Sequence, residues 1–302
     1  MRVVFAAFFQ KIAGMLSLGI DVGGTSSKMA LLEDGRVVWT GQSAFYTKPD
    51  PDQLKLALEQ AAGGPVSRVD TCGICVPGIL NDERTMVTLS VNVPGLMGLP
   101  LTTLVTSAFG DGVPAVRVCN DAISAATDAI ISMNLIGRTL VLAMGTGVGA
   151  AVLDRPTAAD AGVPLLVDGE SPGHLGMLDV SIGEHVPIGP DGGAGSLEGY
   201  IGVPALRRDY GADVNAALAK LTQRDPCLHA LARAIRIGHA LYRPHHVVLA
   251  GGIGTRLAPK LPIIQALVEK NLTSVARPER TLQCAVNDFH AACGAGRLSQ
   301  RI

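Results

Sequence analysis

Asp21-Val22-Gly23-Gly24-Thr25, Gly145-Thr146-Gly147-Val148-Gly149 and Ala250-Gly251-Gly252-Ile253-Gly254 are the stretches that decide the fold. Each follows an apolar run that reads as a buried strand, at residues 16–20, 138–144 and 246–250. Glycine in such a turn lets backbone N–H groups approach phosphate oxygens with no Cβ in the way. A single turn of this kind reads equally well as tight strand-turn geometry. Three in this order, with an aspartate in the first and Asn120-Asp121 between the first and second, point to a nucleotide held between two lobes. Thr25 and Thr146 add hydroxyl donors. Asp21 adds the carboxylate that magnesium chemistry uses, through a retained water. Neither Gly-x-Gly-x-x-Gly nor Gly-x-x-x-x-Gly-Lys-Ser/Thr occurs at these turns, which weakens Rossmann and P-loop readings.

The sequence around the turns predicts an α/β chain. Residues 27–32 and 36–40 form an expected hairpin around Glu33-Asp34-Gly35, since Asp-Gly is a strong hairpin signal. Residues 52–62 predict a helix with Leu54, Leu56, Leu58 and Ala61 at its apolar positions. A strand at 69–76 ends at Pro77-Gly78, a helix is expected at 101–109, and a strand at 115–119 delivers Asn120-Asp121 at its carboxyl end. A helix of small residues follows at 122–131. Residues 149–153 continue a second hairpin. Residues 183–202 are rich in Gly and Pro and lack a period, so they read as a loop. Residues 203–221 and 227–241 predict helices; 261–270 and 290–298 predict two more around a short strand at 280–286. Strands alternating with helices predict largely parallel sheets covered on both faces. Hairpins beside the first two glycine turns predict two related lobes, with no short-period repeat and no low-complexity linker.

Composition narrows the partners. A chain of 302 residues suits one large domain or two ordinary ones. A hydrophobic fraction of 48% and 36 glycines fit a soluble α/β protein with many tight turns. A formal charge of −1 gives no electrostatic reason to bind nucleic acid or anionic membrane, and an aromatic content of 4% disfavours a base-stacking platform. The six cysteines are scattered through apolar runs, as expected of reduced thiols in the cytoplasm. The apolar stretch 3–9 faintly resembles a signal peptide, but it is short, Lys11 interrupts it and a strand begins almost at once. It reads as an extension ahead of the fold, with Met15 as an alternative start. No run of about 18 apolar residues occurs elsewhere, so no membrane span is expected.

Together these features resemble the sugar kinase and actin-like ATPase superfamily and, within it, the ROK family (repressor, open reading frame, kinase). The resemblance spans Leu18 to about Gly296. Ile20-Asp21-Val22-Gly23-Gly24-Thr25 is similar to that family's first phosphate motif, and Cys75-Val76-Pro77-Gly78 to its Val-Pro-Gly turn. Asn92-Val93-Pro94-Gly95-Leu96, followed by Leu99-Pro100-Leu101, resembles its sugar-side loop. Asn120-Asp121-Ala122 resembles its catalytic strand end, Gly145 to Gly149 its second phosphate motif, and Leu249-Ala250-Gly251-Gly252-Ile253 its adenosine-side turn.

The resemblance implies two RNase H-like (actin-like ATPase) lobes with ATP and sugar meeting in a central cleft whose closure excludes water. It divides the chain into an extension at 1–15, an N-terminal lobe at 16–123 and a C-terminal lobe at 124–287, with a last helix at 288–302 packing back on the first lobe. It implies ATP-dependent phosphorylation of a sugar hydroxyl, in the first place the 6-OH of a hexose such as glucose. Gly23, Gly24, Thr25, Gly145, Thr146, Gly147, Gly251 and Gly252 would hold the nucleotide, and Asp21 would orient hydrated Mg2+. Gly78, Asn92, Asn120, Asp121, Glu170, His174 and Glu198 would line the sugar. The family often dimerises, so a homodimer is implied too. A sugar hydroxyl is a poor nucleophile at neutral pH, and Asp121 at a strand end suits the task of accepting its proton. The plain alternative is that Asn120-Asp121 caps the following helix.

The chain departs from the family where a zinc loop is usual. The family carries Glu-x-Gly-His and then Cys-x-Cys-Gly-x-x-Gly-Cys-Leu-Glu, whose His and three Cys hold a structural zinc and whose two Glu contact the sugar. Here these stretches are Ser171-Pro172-Gly173-His174 and Gly189-Pro190-Asp191-Gly192-Gly193-Ala194-Gly195-Ser196-Leu197-Glu198. Gly189, Asp191 and Ser196 stand at the cysteine positions, so no zinc site is expected and the loop must be held by packing and hydrogen bonds. Ser171 takes the usual Glu position, with Glu170 one residue upstream. These changes open the acceptor to an amino sugar or fructose. A non-catalytic sugar sensor is the third reading, although fewer than about 20 residues precede the first strand, too few for a helix-turn-helix module.

Other candidates read as structural. Cys72-Gly73-Ile74-Cys75 lies inside an apolar strand with no helix start between its cysteines, unlike a redox motif. His245-His246 lacks partner ligands, and Arg207-Arg208 reads as a solvated helix face. Lys28, just after the first turn, is a weak candidate for phosphate charge because side chains alternate along a strand.

Overall fold

The computed structural model describes residues 14–300 apart from 65, 67, 167–170, 172, 173, 185, 191 and 278. Residues 1–13 of the expected extension at 1–15, Glu170 and Asp191 therefore lie outside the described residues. The chain divides into two units, the described parts of Met1–Asn120 with Ala295–Ile302, and Asp121–Gly294.

The first unit contributes β1 (Leu16–Val22), β2 (Ser27–Glu33), β3 (Arg36–Gln42), α1 (Pro51–Ala62), β4 (Thr71–Val76), a small hairpin of β5 (Ile79–Leu80) and β6 (Val87–Leu89), α2 (Leu101–Phe109) and β7 (Val116–Asn120). Its main sheet runs β3-β2-β1-β4-β7. The first three strands form an antiparallel meander, and β1, β4 and β7 are parallel. The turn between β2 and β3 has Asp34 and Gly35 both at positive φ (49° and 76°), the geometry that makes Asp-Gly a tight hairpin signal. A capping box starts α1: Gln53 N–H donates to Asp50 Oδ1 at 2.8 Å, and Asp50 N–H donates to Gln53 Oε1 at 3.0 Å. Leu54, Ala57, Leu58 and Ala61 turn one face of α1 inward, and each leucine contributes about 1.5–3 kcal/mol.

The second unit contributes α3 (Asp121–Ser132), β8 (Gly137–Met144), β9 (Val148–Arg155), β10 (Val163–Pro164), α4 (Leu197–Ile201), α5 (Val203–Tyr210), α6 (Val214–Lys220), α7 (Pro226–Tyr242), β11 (His246–Ala250), α8 (Gly251–Arg256), α9 (Leu261–Glu269) and β12 (Thr281–Cys284). Its sheet runs β10-β9-β8-β11-β12 and repeats the first strand for strand, antiparallel for three and parallel for the rest. This is the RNase H-like order, present twice. Leu140, Leu142 and Met144 of β8 pack in one core with Leu228, Leu231 and Ile235, a helical stripe on α7. The helix α10 (His290–Ser299) starts in the second unit and ends in the first. Its C-terminal half lies tight on the first sheet, where a methyl built on Gly73 would stand 2.1 Å from the Ala295 carbonyl. Arg117 Nη1 donates to the Leu298 carbonyl at 2.9 Å in the same unit.

Two expectations are corrected. The stretch 183–202 is not all loop, because Ser196 caps the short helix α4, its Oγ accepting the Gly199 N–H at 3.2 Å. Five residues cannot display a helical period, so composition hid it. The single helix expected at 203–221 is two, α5 and α6. Gly211 at φ +100° ends the first, and Asp213 starts the second by accepting the Asn215 and Ala216 N–H groups.

Candidate functional site

In the first unit, three parallel strands deliver their ends to one edge of the sheet. Asp21 pairs in register with Cys75, Cys75 with Cys119, and Val76 with Asn120. Carboxyl ends of parallel strands are where ligands bind in α/β sheets, because the loops there are free of the strand ladder. Asp21 is half-buried, and the Cys75 thiol donates to its Oδ1 at 3.7 Å. The turn behind it is closed by Gly23 N–H donating to the Ser26 carbonyl at 3.1 Å. A methyl on Gly23 would stand 2.9 Å from that same carbonyl. Gly78 follows β4 at φ +115°, with the Leu89 carbonyl 2.3 Å from where its Cβ would be, so no other residue fits there. Asn92 is half-buried just before a short helical turn, Pro94–Leu96.

Tyr46 is a residue that sequence reasoning missed. Its hydroxyl donates to the Gly23 carbonyl at 2.7 Å and lies 3.1 Å from Ser27 Oγ, while its N–H donates to the Thr25 carbonyl at 2.9 Å. It fastens the first glycine turn from outside. Burial raises its phenol well above the ordinary range, the Ser27 hydrogen bond opposes that, and the Asp21 charge adds to it. The neutral O–H therefore persists as a donor.

In the second unit, Asp121 is the first residue of α3, half-buried, with its Oδ1 accepting the Ala122 N–H at 2.7 Å. The N-terminus of this helix favours its negative charge. A methyl on Gly149 would stand 3.1 Å from the Ala122 Cβ and 3.9 Å from Asp121 Oδ1, so the second glycine turn passes directly beside the carboxylate. The far end of α3 is held by the buried Arg155, which donates to the Ile130 and Leu135 carbonyls at 2.9 and 3.3 Å. The second turn is closed by Gly145 N–H donating to the Gly147 carbonyl at 2.9 Å. Glu198, in the first turn of α4, accepts the Val148 N–H at 2.7 Å.

The third turn opens α8. Gly251 takes φ +77°, and its Cβ would stand 2.5 Å from the Met144 carbonyl, which seats this turn against the end of β8. The second unit thus brings together Asp121, the turn from Gly145 to Gly149, Glu198 and Gly251. His174 is exposed, two residues before Gly176, whose built methyl would meet Glu198 Oε1 at 2.8 Å.

The remaining candidates have structural partners. Ser171 Oγ donates to the Ala150 carbonyl at 2.8 Å. His245 Nδ1 accepts the Arg138 N–H at 2.9 Å, and His246 lies within 2.8 Å of Thr281 Oγ1 and 2.9 Å of the Ile136 carbonyl. Cys72 and Cys75 are buried, and burial, with the Cys119 charge second, pushes the Cys72 thiol up to about 12.

The metal positions differ in character. Asp21 is a hard oxygen donor at a strand end and fits magnesium, which keeps most of its waters and takes one or two carboxylates plus phosphates. The zinc loop does not fit zinc. Gly189 has no side chain and Ser196 Oγ caps α4, so two of the three positions that carry cysteines in the family offer zinc no thiolate. The loop is instead laced by hydrogen bonds: Asp179 Oδ1 accepts the Ser181 N–H at 2.9 Å, Val180 N–H donates to the Gly195 carbonyl at 2.9 Å, and Ile182 N–H donates to the Tyr200 hydroxyl at 2.8 Å.

Comparison with known proteins agrees with this architecture. No curated protein matches the chain in sequence. Among solved structures, a glucokinase of the ROK family from Streptomyces griseus, in complex with glucose and AMPPNP, superposes with a TM-score of 0.68 at 20% identity over 95% of this chain and 100% of that one. The ROK hexokinase from Thermus thermophilus gives 0.68 at 21% identity over 95% and 99%. A ROK family transcriptional regulator, a homologue of the E. coli MLC protein, gives 0.69 at 20% identity over 96% of this chain and 78% of that one. At such identities the likeness is one of fold. No described helix is long and apolar enough to cross a membrane. The ROK family profile matches residues 17–302, and the chain belongs to the ROK family.

Proposed function

We propose that the chain is an ATP-dependent sugar kinase whose acceptor is a hexose hydroxyl, in the first place the 6-OH of glucose. The observation that carries the reading is Asp121 at the start of α3, 3.9 Å from where a Gly149 methyl would stand in the second glycine turn. A proton acceptor and a phosphate-binding backbone are thereby adjacent within one unit. Asp121 accepts the proton of the attacking hydroxyl as the O–P bond forms. Its bond from the Ala122 N–H fixes the carboxylate in place. The turns at Gly23–Thr25, Gly145–Gly147 and Gly251–Gly252 offer N–H groups to phosphate oxygens. Asn92, Asn120, His174 and Glu198 orient the sugar, and Gly78 lines its site.

Asp21 would hold magnesium, which supplies charge neutralisation at the phosphates. Asp21→Ala is expected to lower kcat/KM by about 10²–10³-fold, as loss of a charge-stabilising group does. Steady-state rates over a magnesium titration check it. Zinc has no part in the fold on this reading, so prolonged chelation leaves the melting temperature unchanged, whereas a zinc-dependent fold would unfold.

The test is a coupled ADP-release assay with Mg-ATP across hexoses, amino sugars and fructose. Turnover confined to one sugar names the acceptor, and an amino sugar or fructose in that place would replace glucose. Sugar binding by calorimetry with no turnover on any of them would move the chain to the non-catalytic regulators.

A further inference from the structure

Glu198 stands where the resemblance implies a sugar contact, and its carboxylate also reaches the second glycine turn. Ser196 caps α4 and so aims the first turn of the helix, from which Glu198 Oε1 accepts the Val148 N–H at 2.7 Å. Two glycines make room for the carboxylate: a methyl on Gly147 would stand 2.6 Å from Oε1, and one on Gly176 would stand 2.8 Å from it. The junction between α4 and α5 grips the other end of the same turn. Val203 N–H donates to the Gly145 carbonyl at 3.1 Å, and a methyl on Gly202 would stand 2.7 Å from the Thr146 carbonyl. Residues 198–203 therefore clamp the Gly145–Gly149 turn at both ends. A carboxylate beside a polyphosphate site is repulsive in itself. Its place there is explained if it fixes the backbone that the phosphates meet.

We infer that Glu198 is a positioning residue, holding the second glycine turn in its phosphate-accepting shape through the Val148 N–H. This rests on the kinase reading above, and it joins the sugar-side loop to the nucleotide turn through one side chain. What matters for nucleotide affinity is then the reach of residue 198, with its charge secondary. Glu198→Gln keeps an acceptor oxygen at the same distance. Glu198→Asp keeps the charge but falls short by one methylene. Glu198→Ala removes both.

The experiment is calorimetric binding of Mg-ADP, without sugar, to the full chain and the three variants, with melting temperatures recorded alongside. Glu198→Ala and Glu198→Asp are expected to raise Kd about tenfold, the loss of one hydrogen bond to a charged group, while Glu198→Gln stays within about threefold of wild type. Kinetically, Ala and Asp raise the KM for ATP, and Gln restores it. Should Glu198→Ala not fold, the Asp and Gln pair carries the same comparison. Mg-ADP binding at wild-type affinity in the Ala or Asp variant, with only the sugar KM raised, would overturn the inference and leave Glu198 as a sugar ligand alone. Failure of the wild-type chain to bind Mg-ADP would overturn the kinase reading and this inference with it. Wild-type binding that no variant alters overturns the inference only.

Discussion

Asp121→Ala is expected to lower kcat by about 10²–10⁴-fold, the range for removing a positioned general base. The substitution also removes a side-chain bond at the start of α3, where Asp121 Oδ1 accepts the Ala122 N–H. Loss of that hydrogen bond alone costs about 0.5–1.5 kcal/mol of stability. The two roles separate in Asp121→Asn. Asparagine keeps an oxygen to accept the Ala122 N–H, and it cannot take a proton from a sugar hydroxyl. The expected result is a melting temperature close to wild type with a kcat as low as that of the alanine variant. Full activity in Asp121→Asn would leave Asp121 with a structural role at the start of α3 and nothing more.

Asp128→Ala is expected to cost about 1–3 kcal/mol, as leaving a buried hydrogen-bonding partner unsatisfied does. Asp128 lies two helical turns beyond Asp121 on α3, and its Oδ2 is 2.6 Å from His290 Nδ1 on α10, with both side chains buried. His290 Nε2 has no hydrogen-bond partner among the described residues, so removing Asp128 takes away the imidazole's partner at Nδ1. One turn along, the helices touch so closely that a methyl on Gly294 would stand 1.8 Å from the Ser124 carbonyl. The pair therefore holds the seat of the helix that carries Asp121. A lowered thermal midpoint, with faster hydrogen exchange in α3, is the expected outcome. An unchanged midpoint would show the pair to be stabilisation-neutral.

The fold was legible where local chemistry dictates it. Asp34-Gly35 announces a hairpin because its geometry needs positive φ at both residues, and the apolar runs before each glycine turn announce buried strands. The repeated sheet order follows from hairpins beside the first two turns. What stayed hidden depends on length or on distance along the chain. A helix of five residues, α4, shows no period inside a glycine-rich stretch. The break between α5 and α6 was signalled by Gly211 and Asp213, but the apolar pattern on either side ran on and outweighed it.

The site divides in the same way. The strand-end positions of Asp21, Asp121 and the glycine turns were readable because each sits next to its own strand. Tyr46 reaches the first turn from 23 residues away, and Glu198 reaches the second from 50. His290 meets Asp128 across 162 residues. No spacing rule forecasts such contacts, since only the closed sheets create them. The zinc loop shows the reverse case. The absence of its cysteines was visible in the sequence, whereas the hydrogen bonds of Asp179, Ser181 and Tyr200 that lace it were not.

The most direct test of the central claim is phosphorus NMR of the wild-type chain incubated with Mg-ATP and glucose. The account predicts ADP together with a new phosphate-ester signal coupled to the protons of carbon 6, absent with Asp121→Asn. Glucose binding without any phosphate ester, on glucose or on any other sugar offered, would contradict it.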